Sequence, residues 1–327
     1  MTGETTEIFD VAIIGGGAAG LSAAVTLSRA RRRVVVIDAG TPRNSPAAGV
    51  HGFLTRDGIS PAELVAAGSR EVTGFGGQIL AGEATAARRT ETGFAVSMAD
   101  GRSVESRRLL VTTGLVDELP EIPGVRARWG RDVLHCPYCH GWEVRDQAIG
   151  VLGSSERAVH QALLFRQWSS DVALFLHTAP PPTAVEAEQL AARGIQVIPG
   201  TVASLEIAAD RLVGVRLDSG AVVPRQAVTV MPRFAARSDL LISLGLATTP
   251  HPMGVGDYIA AGPTGLTEMP GVYVAGNVTD LMAQVVGAAA GGVMAAAALN
   301  LDLIAEDTEL AVVDYRSTVR ELAMGSL

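Results

Sequence analysis

The sequence contains no lysine, and all 26 of its basic residues are arginine. Lysine forms Schiff bases, anchors pyridoxal phosphate and reaches the phosphates in a P-loop, so those chemistries are excluded. Net positive charge is also missing: 34 acidic residues leave a formal charge of -8, with no long basic run. A nucleic-acid or anionic-membrane surface needs the opposite balance, so the expected partners are small molecules or proteins. Cysteine is nearly absent. Cys136 and Cys139 are the only two, too few and too close for an extracellular disulfide framework but suited to a redox pair. The first ten residues hold Glu4, Glu7 and Asp10 and no basic segment, so no secretory signal is expected and the chain reads as cytoplasmic.

Charged residues are sparse at 18% against 48% hydrophobic, a globular composition without the signature of disorder. At 327 residues the chain has the length of two domains. One long apolar run, residues 281–299, has Gln284 as its only polar side chain and is formally long enough to span a bilayer. It is built mostly of alanine and glycine, which fits a buried helix packed closely on a sheet; no membrane partner is expected.

Residues 9–14 and 33–37 are apolar, β-rich runs that flank a glycine-rich turn and a segment of helical spacing, together a βαβ unit. A second such unit is expected at 148–176. Between them, residues 78–111 read as short strands, and the Pro/Gly-rich stretch 120–124 is a connector. Residues 197–231 show further strand alternation, and 271–275 read as a buried strand feeding the alanine-rich helix. That helix should begin near residues 279–284, where its N-terminus could hold a partly anionic ligand.

Gly15-Gly16-Gly17-Ala18-Ala19-Gly20 satisfies G-x-G-x-x-G after a strand and at the start of a helix, with Asp38 about twenty residues on. Gly15 makes the turn, Gly17 lets backbone N–H groups reach a pyrophosphate, Gly20 lets helix and strand approach, and Asp38 can accept from a ribose hydroxyl. The motif does not separate FAD from NAD. In the second unit, Gly153-Ser154-Ser155-Glu156-Arg157-Ala158 keeps the turn glycine but puts Ser155 where a phosphate would approach. Glu156 opposes a phosphate, and a serine can cap the helix instead. The ribose end, residues 176–179, has neither an acid nor an arginine pair, so the site reads as eroded.

His135-Cys136-Pro137-Tyr138-Cys139-His140 is the most informative segment. Cys-x-x-Cys-His is formally a haem attachment signal, but nothing supports the export that requires. Six consecutive positions do not easily wrap a zinc tetrahedron, so no metal is expected. A redox dithiol remains. Cys136 before Pro137 at a helix start, with an adjacent histidine, would have a lowered thiol pKa.

Taken together, these residues resemble the low-molecular-weight thioredoxin reductases among the pyridine nucleotide-disulfide flavoenzymes, over nearly the whole chain. The parts come in order: the glycine fingerprint with Asp38, Thr112-Thr113-Gly114, the CxxC, and the closing run 271–277. The resemblance implies an α/β fold of two Rossmann-like, three-layer ββα nucleotide-binding domains. The second, 117–247, would be inserted into a discontinuous FAD domain of 1–116 and 248–327. It places FAD against Gly15, Gly17, Ala18, Gly20, Asp38, Arg43, Asn44, Thr113, Gly114, Gly276, Asn277, Gln284 and Val285. Departures are systematic, since His140 stands where the reductases have Asp, and Gly276-Asn277 replaces Gly-Asp. The run from Cys136 to Glu143, with Trp142, is similar to the branch that closes disulfides in gliotoxin, holomycin and romidepsin. That likeness implies a homodimeric FAD enzyme taking a small dithiol and O2, with Cys136 facing substrate, Cys139 facing flavin and His140 as base. An NADPH-dependent reductase is the alternative, and a flavin-bearing redox sensor a third reading. His135, His51 and Phe53 are candidates for lining the substrate pocket.

Overall fold

The first apolar run forms the strand Ile8–Ile14 and the second Val34–Asp38, parallel neighbours joined by the helix Ala18–Arg29. This is a computed structural model, and it describes residues 8–324. The expectation of no secretory signal rests largely on residues 1–7, which lie outside the described residues. Parallel strands are covered on both faces, and the period of two divides them accordingly. Val11, Ile13, Val34 and Val36 meet Ala23, Ala24 and Leu27 of the helix, while Ala12, Ile14, Val35 and Ile37 enter the core on the other face.

The sheet extends to seven strands. Gln78–Ala81 joins beyond Val34–Asp38, and Ser103–Val111 joins beside Ile8–Ile14, all parallel. The first half of Ser103–Val111 takes the antiparallel strand Phe94–Met98 and then Ala84–Arg89. Its second half takes Val272–Val274, brought in parallel from the other end of the chain.

A second sheet holds Gln196–Ile198, Val172–Phe175, Ile149–Leu152, Ala227–Thr229 and Val133–Leu134 in that order, all parallel. Helices Ala158–Phe165 and Ala184–Ala192 cover one face through Val159, Ala162, Phe165 and Leu190. The antiparallel strands Val202–Ala208, Arg211–Leu217 and Val222–Pro224 cover the other through Leu205, Leu212 and Val215. The chain is thus of the expected α/β class, with two Rossmann-like units. Leu115–Glu118 and Arg233–Ala236, paired antiparallel, carry it from one unit to the other and back. We propose that the two domains meet at this crossing, which straddles the boundary expected at 117 and falls before the one expected at 247.

The alanine-rich helix differs from its expected extent. It runs Val285–Met324, far past residue 299. By length and composition it could cross a membrane, yet Ala295, Ala296, Leu299 and Leu303 are buried in one cluster with Ala23, Ala24 and Leu27. Close approach is made possible by Gly292, where a Cβ would overlap the carbonyl oxygen of Ala19. Further along, Arg32 and Arg107 pair with Asp307, and Arg108 with Asp302 and Glu306, clamping the helix to the sheet.

Candidate active site

The turn after Ile14 delivers the chain into the helix that starts at Ala18. Gly20 lies so close to Gly15 that a Cβ would overlap its carbonyl oxygen, whereas a Cβ on Gly17 would meet nothing within 4 Å. The helix has no side-chain cap and no acid in its first turn, so its leading N–H groups stay available to an anion. Asp38 Oδ1 accepts from Gly16 N at 2.9 Å, so one oxygen of the residue expected on a ribose also holds the loop. Thr112 donates to the carbonyls of Ile14 and Gly15, at 3.0 and 2.8 Å. Sequence reasoning read Thr112 only as part of a motif; its hydroxyl ties two strand ends that lie far apart in the chain. Thr113 donates to Arg237 O at 2.6 Å.

This cradle opens into a cavity of about 1500 Å³, beyond the roughly 300–1,000 Å³ of an ordinary ligand pocket. It is lined by Gly15, Gly17, Ala18, Asp38, Arg43, Asn44, Thr113, Gly114, Gly276, Asn277, Gln284 and Val285, and continues past Cys136, Cys139 and His140 to Arg157 and Met253. Gly20 does not line it; its role is the helix–strand approach. Arg43 is more engaged than expected of a cofactor contact. It makes a two-pronged bond to Asp117 at 2.8 and 2.7 Å, donates to Asn277 Oδ1 at 3.3 Å, and stacks 5.1 Å above the Phe234 ring. Asn277 in turn donates to the carbonyls of Asp280 and Ala283, shaping the turn before Val285.

Cys136 precedes the single helical turn Pro137–His140, with Pro137 leading it. Both thiols are free. The Cys139 S–H donates to Cys136 and, with help from the N–H groups of Cys139 and Tyr138 and from Gln284, brings the Cys136 thiol down from 9.0 to about 7 against the cost of burial. Cys139 is pushed up because it is the donor in that bond and is buried beside the Cys136 charge, while Arg43 opposes the rise. Gln284 Nε2 lies 3.9 Å from Cys136 Sγ. Burial holds His140 below the usual histidine value, with Glu143 raising it and His51 lowering it further, so the ring stays neutral and able to take a proton. His135 packs edge-on against Phe234 at 5.2 Å, with Nδ1 3.3 Å from Val230 O, and burial lowers its pKa. His51 and Phe53 line the same cavity. Among the described residues no group of three or more His, Cys, Asp or Glu could hold a metal ion.

The second turn is occupied by its own side chains. Ser155 Oγ accepts from Arg157 N at 3.3 Å, and the Arg157 guanidinium donates to Met253 O at 2.8 Å. The expected serine cap does not form: Ser155 Oγ accepts from the N–H of Arg157, the residue flanking the helix, and Ala158–Phe165 has no side-chain cap. At the ribose end His177 takes a left-handed conformation, φ 46°, and its Nδ1 accepts from Val202 N.

Residues 9–296 match the model of the pyridine nucleotide-disulphide oxidoreductase family. The chain belongs to this family. Thioredoxin reductase sirT of Leptosphaeria maculans is 29% identical over 321 residues, covering 92% of this chain and 96% of that protein. Among solved structures, HlmI superposes with a TM-score of 0.89 at 47% identity, covering 96% of this chain and 99% of the other. An oxidoreductase from Agrobacterium tumefaciens gives 0.85 at 35%, covering 91% and 99%. The likeness to thioredoxin reductases drawn from the sequence is borne out, and this member of the family is an oxidoreductase whose cofactor is FAD. The residues present fit that cofactor: an open face at Gly17, an uncapped helix start, and an Asp38 with a second oxygen free of the loop bond.

Proposed function

We propose that the protein is a dithiol oxidase, which closes an intramolecular disulfide in a small dithiol of natural-product type with O2 as final acceptor. The observation that carries this reading is the second turn, where Ser155 is engaged with Arg157 N, the Arg157 guanidinium is held on Met253 O, and the sequence has neither an acid nor an arginine pair at the ribose end. Electrons then have to enter from a thiol substrate.

A substrate thiol gives its proton to His140, and the thiolate attacks Cys136 of the Cys136–Cys139 disulfide. Cys139 departs and takes up a proton. The second substrate thiol then attacks the substrate sulfur bound to Cys136, and the cyclic disulfide leaves. A thiol brought down to about 7 is a good leaving group at this step. The chemistry FAD supplies when bound is acceptance of the electron pair from the protein dithiol, with O2 reduced to hydrogen peroxide. Gly15, Gly17, Ala18 and Asp38 would hold it, with Arg43, Asn277 and Gln284 at the end nearest the sulfurs. We further propose a cytoplasmic homodimer; Leu301, Leu310, Val313 and Tyr315 stand exposed along the last helix, which supports a second copy packing there.

Names such as thioredoxin reductase among the relatives favour the alternative, an NADPH-dependent disulfide reductase. Anaerobic flavin absorbance separates the two. Dithiothreitol should bleach the flavin far faster than NADPH or NADH, and rapid stoichiometric bleaching by NADPH would establish the reductase instead.

A further inference from the structure

His51 takes part in no step described above. Its Nδ1 lies 3.3 Å from Asp57 Oδ2 and its Nε2 3.5 Å from Glu143 Oε1. Asp57 is itself fixed, because its other oxygen accepts from Gly52 N at 2.9 Å. Glu143 and His51 both act electrostatically on His140, and Arg56 lines the same cavity. The His51 side chain is 23% exposed and its two carboxylates more so, Glu143 at 42% and Asp57 at 68%. His51 and His140 line the cavity that holds the dithiol, with Glu143 beside His51 and Asp57 behind it toward water.

The need for such a path follows from counting protons in the dithiol oxidation proposed above, on which this inference rests. Two electrons pass from the substrate sulfurs to the protein sulfurs, and two thiol protons are set free. In the first exchange the substrate–Cys136 bond forms and the Cys136–Cys139 bond breaks. Cys139, the sulfur released, takes the proton that His140 collected. In the second exchange the substrate S–S bond forms and the bond to Cys136 breaks. Cys136 leaves as a thiolate that accepts the Cys139 S–H bond, which disfavours keeping the second proton on the sulfurs. It must leave His140 before that ring can act again.

We propose that His51, held between Asp57 and Glu143, is a positioning residue that drains this second proton from His140 to solvent. The test uses the full-length, FAD-loaded, oxidised protein with dithiothreitol and 2-mercaptoethanol as probes, acid quenching, and mass measurement of the mixed disulfide on Cys136. The monothiol needs only the first exchange, whereas dithiothreitol needs both. In His51→Gln, decay of the dithiothreitol adduct should slow about tenfold relative to adduct formation, a fraction of what loss of a direct base produces. The adduct should therefore accumulate. Asp57→Asn should shift the same ratio in the same direction, and added imidazole should restore decay in His51→Ala. Wild-type decay in His51→Gln, or slowing of the 2-mercaptoethanol reaction by the same factor, would overturn the role. A wild-type protein that forms no adduct with either probe would overturn the dithiol chemistry itself, and this role with it.

Discussion

At the scale of single residues, the informative pair is Cys136 and Cys139, whose thiols are shifted in opposite directions by their mutual hydrogen bond. The thiolate sits on Cys136 because Cys139 donates to it. The deprotonated fraction grows as pH rises, so alkylation of Cys136 by iodoacetamide should climb through a midpoint near 7 rather than 9.0. Cys139→Ala removes the main cause of the lowering, and the midpoint should move upward; an unchanged midpoint would assign the effect to the backbone N–H groups and Gln284. The sequence made the dithiol and its lowered thiol legible, since Cys136-Pro137 marks a helix N-terminus. It did not reveal that Cys139 is the main cause, because adjacency in sequence gives no direction to a hydrogen bond. Arg43 was legible only through resemblance, and its bond to Asp117 joins residues 74 apart.

At the scale of elements, local period and turn chemistry predicted the two βαβ units, because alternating apolar residues must choose faces wherever a sheet is buried. The last helix was predicted too short. Beyond residue 299 its side chains are mixed and mostly exposed, and what holds it is a set of ion pairs to arginines 194 to 275 positions earlier, which no local pattern carries. Arg108 makes two hydrogen bonds to Asp302, at 2.7 and 3.1 Å, and holds the Asp302 carboxyl below its usual range, against burial. A depressed carboxylate contributes stability above its unfolded pKa and loses it as pH falls through the folded value. Arg108→Ala should therefore destabilise the protein by about 1–2 kcal/mol at neutral pH, the figure for a partly exposed charged pair. The deficit should shrink in acid; thermal melts at pH 7 and pH 3 that show equal losses would place the effect in packing instead.

At the scale of the whole molecule, the chemistry is divided between the two units. The cofactor cradle belongs to the first sheet, while Cys136, Cys139 and His140 follow Val133–Leu134, a strand of the second, so the 3.9 Å between Gln284 and Cys136 depends on how the units meet. Few polar links beside the dithiol cross that cleft: His51 with Glu143, and Arg157 with Met253 O. The Arg157 bond is exposed and to a neutral carbonyl, so it contributes roughly 1 kcal/mol, about fivefold in the population of an opened cleft. Arg157→Ala should leave the iodoacetamide rate at Cys136 nearly constant, because a small reagent already reaches the sulfur through the cavity. A bulky maleimide, which needs the cleft to widen, should react severalfold faster. The two reagents separate the intrinsic reactivity of the thiolate from access to it. Equal acceleration of both would mean that Arg157 acts on the thiol rather than on the closure, and equal indifference would mean that other contacts hold the units together.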